Sequence, residues 1–308
     1  MTREIGRLLT AMVTPFKADG SVDYDAAEKL AVMLVNDGSD GVVVAGTTGE
    51  SPTLSDAEKI ELLRTVKNAI PQKSVVAGTG SNNTHHSVEL SKLAMKAGAD
   101  ALLAVVPYYN KPPQEGMYEH FKAISEIGPT IMYNIQGRTA ANMTAATTLR
   151  CAHLPGIIGV KEASGDLDQI GLVCAGKPAK FKVWSGDDSW TLPVLSVGGY
   201  GVICVVSHIA GKSMARLIEA FVKAENDVAR DIHLGLLPVI KSLMTTAANP
   251  VPIKSVLNAM GFSAGPFRLP LVPLTDEQLK SVLKPIHEAG ELITFAGSGI
   301  PTSSRRSL

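Results

Sequence analysis

The sequence predicts an α/β fold of the TIM (β/α)8 barrel class followed by a C-terminal helical appendage. Three observations carry that expectation. Short, unbroken apolar runs alternate with amphipathic helical patterns, and eight such runs can be counted before residue 206. Gly38-x-Asp40 ahead of "GVVV" returns sixty residues later as Gly98-x-Asp100 ahead of "ALLAVV", the span of two βα units. The turn after the first run, "TPFKADG", lacks the glycine-rich phosphate fingerprint that a doubly wound sheet carries at that place.

In chain order, "LLTAMV" reads as the first strand. "DAAEKLAVMLVNDG" then puts Ala27, Leu30, Ala31, Leu34 and Val35 on one helical face, stops at Gly38, and leads into the strand "GVVVAG". Ser55 followed by Glu58 forms a capping-box pattern that opens a helix with Ile60, Leu63 and Ile70 in register and Pro71 as its stop. "SVVAGTG", a helix over 84–97 stopped by Gly98, "ALLAVV", a helix over 114–126 and "TIMYN" continue the alternation. The last three strands are "GIIGVK", "FKVWSG" and "YGVICVV". Helices over 211–226, 228–247, 251–260 and 275–289 follow, broken by prolines, which is more than one closing helix. The expected organisation is therefore a barrel over 1–226, an appendage over 227–295, and a small, polar, disordered tail over 296–308.

Composition narrows the partners. With 29 basic and 29 acidic side chains the net charge is zero, so there is no electrostatic footprint for nucleic acid or an anionic membrane, and a small-molecule ligand is expected. Cys151, Cys174 and Cys204 are odd in number, far apart and without a CxxC pair, which suits a reducing cytoplasm and indicates neither disulfides nor zinc. No apolar run reaches membrane-spanning length, so a soluble protein is expected.

In a barrel of this class the C-terminal ends of the strands face the site. Lys161 ends the sixth strand in "GIIGVKEASGD", Tyr133 the fifth in "IMYN"; Thr47 and Thr48 follow the second, and Tyr108 and Tyr109 the fourth. A strand-end lysine is ordinarily just solvated. In this company, among apolar walls that disfavour its charge, it can instead attack a ketone and form a Schiff base. "GTTGE" reads as an anion receptor, with consecutive backbone N–H groups, two hydroxyls, and Gly46 and Gly49 supplying unusual dihedrals; the plainer alternative is an ordinary capped βα turn. "GTGSN" lacks the third glycine of a dinucleotide turn, and the adjacent His85 and His86 diverge on a helix. Asp187 and Asp188 read as loop residues at the mouth of the site, Trp184 and Trp190 as packing. No metal or cofactor is expected.

"GVVVAGTTGESPTLSDAE", "VVPYYNKPPQEGMYEHF", "YNIQGRT" and "GIIGVKEASGD", in this order and spacing, resemble the dihydrodipicolinate synthase family, pyruvate-dependent class I aldolases related to N-acetylneuraminate lyase. The resemblance extends over residues 6–292 and includes "NPVPIK" in the appendage. It implies Lys161 as the Schiff-base lysine, Tyr133 as proton donor and acceptor, and Thr47 as a bridge from Tyr133 to a Tyr109 reaching in from a neighbouring subunit. Thr48 would grip the pyruvate carboxylate and Arg138 the carboxylate of the second substrate; Gly186 and Asp187 match loop positions beside that substrate, and Ile203 a backbone carbonyl near the lysine. One position departs from the pattern. Gln136, followed by Gly137, stands where the family has proline, which frees the loop that carries Arg138.

The activity implied is condensation of pyruvate with L-aspartate-4-semialdehyde to 4-hydroxy-tetrahydrodipicolinate, a step of lysine and diaminopimelate biosynthesis, in a cytoplasmic homotetramer built as a dimer of dimers. The alternatives are a sibling aldolase cleaving a 2-keto-3-deoxy sugar acid to pyruvate and an aldehyde, which would lack use for Arg138, and a noncatalytic pyruvate-binding regulator. Relatives inhibited by lysine bind it near the residues matching Ser51, Asn82 and Tyr108. Here Lys59 and His86 occupy the positions that would hold the effector's ammonium, so insensitivity to lysine is expected, with Glu89, one helical turn from His86, as the nearest partial substitute.

Overall fold

The computed structural model describes residues 4–295. The tail expected over 296–308 lies outside the described residues. Eight parallel strands close on themselves in sequence order: β1 (Leu8–Ala11), β2 (Gly41–Val44), β3 (Ser74–Gly78), β4 (Ala101–Val105), β5 (Thr130–Asn134), β6 (Ile157–Glu162), β7 (Lys182–Ser185) and β8 (Gly201–Cys204), with β8 pairing back onto β1. The TIM barrel is thus borne out, with all eight expected strands in place.

Between the strands run α1 (Tyr24–Asn36), α2 (Asp56–Ala69), α3 (Thr84–Lys96), α4 (Gln114–Ser125), the one-turn α5 (Gln136–Thr139), α6 (Ala145–Cys151), α7 (Leu167–Gly176) and α8 (Thr191–Ser196). The capping box at Ser55 and Glu58 is present, and Ala27, Leu30, Ala31 and Leu34 are the buried face of α1. After β8 come α9 (Ser207–Val222), α10 (Asn226–Thr245), α11 (Val251–Ala259) and α12 (Asp276–Glu288). The helix expected over 211–226 starts four residues earlier, because the chain turns straight from β8 into a first helical turn and kinks at Ala210 (φ −139°) rather than running through a loop. None of the described helices is long and apolar enough to cross a membrane.

Strand periodicity explains why the apolar runs are unbroken. Leu9, Val43, Val76, Leu103, Ile131, Tyr133, Trp184 and Ile203 pack inside the barrel, while Leu8, Val42, Val75, Leu102, Met132, Val160, Val183 and Val202 pack outward beneath the helices. Both faces are dry, so neither tolerates polar alternation. The Gly-x-Asp echo has an equally local cause. Gly38 (φ 107°) and Gly98 (φ 98°) end their helices in the left-handed region, and each aspartate then ties down the start of the preceding strand. Asp40 Oδ2 accepts from the N–H of Leu8 at 2.9 Å, and Asp100 Oδ2 from the N–H of Val75 at 2.8 Å.

The C-terminal helices grip the barrel's upper rim through one fully buried ion pair. Lys254 Nζ of α11 lies 2.7 Å from Glu50 Oε1, both side chains being completely inaccessible, and it also stands 4.1 Å from the centre of the Phe16 ring. Arg268 adds its backbone N–H to Glu50 Oε2 at 3.3 Å and its guanidinium to Glu58 at 2.6 and 3.0 Å, holding that carboxyl down at about 2. Burial drives the Lys254 ammonium below its usual range, and Glu50 partly offsets this. A buried charge that loses its partner is costly, so Lys254→Met should destabilise the fold by about 3–5 kcal/mol. Pairing it with Glu50→Gln should restore at least half of that loss in urea-melt midpoints. A loss below about 1 kcal/mol in the single variant would show that the ion pair does not clamp the rim.

Candidate active site

The fifth and sixth strands deliver the central pair. Tyr133 and Lys161 are register partners on adjacent strands, and Lys161 is in turn opposite Trp184 on β7. Because Met132 and Val160 face outward, the period of two turns both Tyr133 and Lys161 inward. Lys161 Nζ then lies 4.4 Å from the centre of the Tyr133 ring, with both residues buried. Among the described residues no carboxylate pairs with this amine. Its surroundings are shaped by what is small. A Cβ at Gly159 would come within 2.6 Å of the Trp184 indole, and one at Gly186 within 3.1 Å of Lys161 Cε and 2.7 Å of Ala163 Cβ, so the floor and one wall require glycine.

A network on the outer side of these strands keeps the pair in register. Glu162 accepts from the amide of Asn134 at 3.1 and 3.2 Å and from the N–H of Ser164 at 2.8 Å, and Asn134 Oδ1 accepts from the N–H of Met143 at 3.0 Å. Burial raises the Glu162 carboxyl above its usual range against these hydrogen bonds. Sequence reading passed over Asn134 and Glu162; each directly follows a site residue, so each points to the opposite face.

The turn after β2 has the form of an anion receptor. Gly49, Glu50 and Ser51 donate their N–H groups back to Gly46 and Thr47 carbonyls at 3.1–3.2 Å, whereas the N–H groups of Thr47 and Thr48 meet no acceptor among the described residues. The expectation that Gly46 and Gly49 take the unusual dihedrals is corrected. Positive φ falls on Ala45 (52°) and Glu50 (56°), and glycine is needed at 49 for close approach, since a Cβ there would lie 3.1–3.2 Å from the backbone of Ala45 and Met12. Thr48 is buried, and its Oγ1 accepts from the side-chain amide of Asn249 at 2.9 Å.

These residues line a cavity of about 500 Å³ at the C-terminal end of the barrel, with Lys161, Tyr133, Thr47, Thr48, Arg138, Gly186 and Asp187 in its wall. Arg138 stands on α5 and donates to the backbone carbonyl of Asn249 at 3.2 Å. Without proline, that turn is held by Arg138 and Thr139 N–H bonds to the Ile135 carbonyl and by the Ala140 N–H to Gln136, each 2.9–3.0 Å. Ile203 is buried inside the barrel and is not among the residues lining this cavity. Tyr109 is 89 % exposed with φ 74°, away from the cavity, and no Thr47–Tyr133 hydrogen bond is formed. Asp188, like Asp187, borders this cavity, as the sequence reading expected, and it has a structural part besides. It is buried, and its carboxylate accepts from Val205 at 3.0 Å and Val206 at 2.6 Å, which ties the β7 loop to the end of β8.

A second cavity, about 590 Å³, shares Thr47, Tyr133 and Arg138 with the first and adds Ser51, Lys59, Asn82, His86 and Tyr108. Asp56 reaches both basic groups here, at 2.7 Å from His86 Nε2 and 3.8 Å from Lys59. A fixed negative charge is therefore present where sequence reading saw none, though it is already engaged; Glu89 is exposed and paired with Lys92 at 2.7 Å.

The family model of the dihydrodipicolinate synthetase family matches residues 4–289. The chain belongs to that family. The 4-hydroxy-tetrahydrodipicolinate synthase of Moorella thermoacetica is 53 % identical over 290 residues, 93 % of this chain and 99 % of that protein. The synthase of Bacillus subtilis is 49 % identical over 287 residues, 92 % and 99 % of the two chains. Among solved structures, the lysine-bound synthase of Cyanidioschyzon merolae superposes with a TM-score of 0.91 at 44 % identity, covering 93 % of this chain and 98 % of that one. The pyruvate complex from Acinetobacter baumannii gives 0.90 at 35 % identity over 93 % and 99 %. A family enzyme with this barrel is what the four sequence motifs implied.

Burial pushes the Asp188 carboxyl up from 3.8 to about 6, against the hydrogen bonds from Val206 and Val205. As pH falls from 6 towards 4, the folded chain takes up this proton before the unfolded chain does, so Asp188 makes the fold more stable on acidification and costs stability above pH 6. Asparagine stays neutral throughout. Asp188→Asn should therefore lose about 2–3 kcal/mol relative to the parent between pH 7 and pH 4 in urea titrations, and a pH-independent difference would contradict this account.

Proposed function

We propose that Lys161 is the nucleophile of a 4-hydroxy-tetrahydrodipicolinate synthase reaction, joining pyruvate to L-aspartate-4-semialdehyde. The observation that carries the assignment is the buried, carboxylate-free amine of Lys161 set against the Tyr133 ring, one cavity wall away from the unpaired N–H groups of Thr47 and Thr48. The activity itself is that of a class I pyruvate aldolase type lyase. The full-length relatives carry the synthase name, and none of them favours the sugar-acid alternative.

The amine of Lys161 adds to C2 of pyruvate, and loss of water gives the imine. Tyr133, whose ring centre lies 4.4 Å from Lys161 Nζ, would carry protons to and from the carbinolamine oxygen. The cationic imine draws electrons, so a proton leaves C3 and an enamine forms. Its C3 attacks the aldehyde carbon, forming the new C–C bond and leaving a hydroxyl on C4 after protonation. The amino group of the added substrate then attacks the imine carbon and closes the ring, which releases Lys161 as a free amine. The overall balance is one water lost for two substrates joined. Thr48 and the two N–H groups suit the carboxylate of pyruvate, and the planar fork of Arg138 that of the semialdehyde. Gly186 and Asp187, which line the cavity, would flank that second substrate, and Ile203 on β8 would supply a backbone carbonyl near the lysine.

A phenol is a poor isolated base, so Tyr133 needs a path for its proton; Thr47 and a Tyr109 from another copy of the chain would supply it. An exposed tyrosine held at positive φ supports this reading, since the left-handed conformation costs free energy that a single chain does not recover by packing. The proposed assembly is a homotetramer in which paired protomers exchange Tyr109, in the cytoplasm where lysine precursors are made.

Borohydride added with pyruvate should leave one reduced adduct at Lys161, absent from Lys161→Ala. Arg138→Ala should keep the adduct while turnover with the semialdehyde drops by about a hundredfold or more, the loss of a charge-assisted bidentate contact. Labelling elsewhere would refute the lysine, and unchanged turnover would refute the arginine. Exchange of Tyr109 is tested by mixing. Lys161→Ala and Tyr109→Phe protomers, each nearly inactive alone, should regain up to about a quarter to a half of parental activity when dissociated and reassembled, because a hybrid pair holds one site with both groups intact. No recovery from a verified hybrid would place Tyr109 outside its neighbour's site.

A further inference from the structure

Asn249 occupies a junction that the reaction scheme leaves unassigned. It lies between α10 and α11 in the appendage, yet it lines the barrel's cavity. Its side-chain Nδ2 donates to Thr48 Oγ1 at 2.9 Å, and its main-chain carbonyl accepts from Arg138 at 3.2 Å. One residue therefore touches both of the groups suited to hold carboxylates.

The direction of the first bond matters. A hydroxyl that accepts from an amide N–H must point its own proton elsewhere, and among the described residues Thr48 Oγ1 has no other hydrogen-bond partner. Thr48 borders the cavity, so that proton is free to meet a ligand carboxylate there. The arrangement is costly in one respect: Asn249 Oδ1 is buried with no partner. Buried polar atoms are nearly always satisfied, so a tolerated orphan calls for a compensating role. Turning the amide over would not remove the orphan, because Nδ2 would take its place while Thr48 gave up its proton to Oδ1. Holding Thr48 as a donor is the role that accounts for the orientation.

We infer that Asn249 is a positioning residue for keto-acid recognition, acting through Thr48: its amide fixes the threonine hydroxyl as a hydrogen-bond donor to the carboxylate of pyruvate. The inference rests on the reading of Lys161 and Thr48 given above. Because the contact comes from the appendage, the receptor for pyruvate is completed only when the C-terminal helices have docked on the barrel.

The test measures the pyruvate concentration that half-saturates borohydride labelling of Lys161 in the intact protein. Asn249→Ala should still label fully at high pyruvate but need about tenfold more of it, as for loss of one hydrogen bond to a charged group. Asn249→Asp keeps the size of the side chain, accepts from Thr48 instead of donating, and adds a negative charge, so it should raise the requirement further than alanine does. Thr48→Val should raise it about as much as Asn249→Ala, and the double variant no more than Thr48→Val alone, which a merely structural defect would not produce. Additive losses, or an Asn249→Asp protein that labels like the parent, would overturn the inference, as would an alanine variant within twofold of the parent. If the parent itself is not labelled at Lys161, the functional reading fails and this inference with it. A labelled parent with unaffected Asn249 variants removes the inference alone. Thermal melts of Asn249→Asp, the isosteric variant, guard against loss of the turn.

Discussion

Closure of the parallel sheet is the constraint on which the site depends. Once β8 pairs with β1, every strand is dry on both faces, and a residue's parity alone decides whether it enters the barrel or meets a helix. Near the top of β5 and β6 that rule turns Tyr133 and Lys161 to the interior and Asn134 and Glu162 to the outside. The outer pair is then hydrogen-bonded to Met143, Ser164 and Gln169. The same one-residue alternation thus produces a reactive pair with no hydrogen-bonded carboxylate and, back to back with it, a saturated polar network. A slip of one residue in β6 would exchange Lys161 for Glu162, and a slip in β5 would bring Asn134 inward in place of Tyr133.

Closure leaves the receptor turn after β2 with two positive-φ residues, which a loop held only by its own hydrogen bonds would relax. The appendage holds it instead. Lys254 fixes Glu50 at the end of the turn, Arg268 reaches the backbone carbonyl of Thr53 at 2.7 Å as well as Glu58, and Asn249 meets Thr48 in the middle. These contacts bridge more than 200 residues of sequence in each case. They explain why more helix follows the eighth strand than closing a barrel needs.

Much of this was legible in the sequence because the relevant signals are local. Period-two runs, the Ser55 capping box and glycine stops lie within a few residues, and strand-end position marks Lys161 and Tyr133 once it is taken with the polar residues at neighbouring strand ends and the family motifs. What escaped notice was long-range or conformational. Nothing local in "NPVPIK" says that Asn249 meets Thr48, or that Lys254 is fully buried, since a lysine in a helix is ordinarily solvated. Asp188 reads as a loop carboxylate beside Asp187, and only the folded chain shows it accepting from two N–H groups just past the end of β8. The positive φ of Ala45 was hidden because glycine sits next to it and attracts the assignment. Asp56 was missed at the second cavity because it is brought there from the start of α2, thirty residues from His86.

The division of labour between the two parts of the chain has a consequence for specificity. Lys161 and Tyr133 are held by the barrel alone, through register, floor and outer network, so the geometry available to the proposed imine chemistry is fixed by the requirement that strands pair and faces stay dry. Thr48 and Arg138 both lean on Asn249, so the spacing of the groups suited to carboxylates is set by a segment outside the barrel. Changes in the turn between α10 and α11 can therefore alter the spacing of Thr48 and Arg138 without moving Lys161. The Gln136 departure acts on the same side of this division: α5 keeps its backbone hydrogen bonds without proline, and Arg138 keeps its anchor on Asn249. The φ restraint absent from the arginine loop is offset by a contact from the appendage, so the position of Arg138 depends on the C-terminal segment while that of Lys161 depends on the barrel.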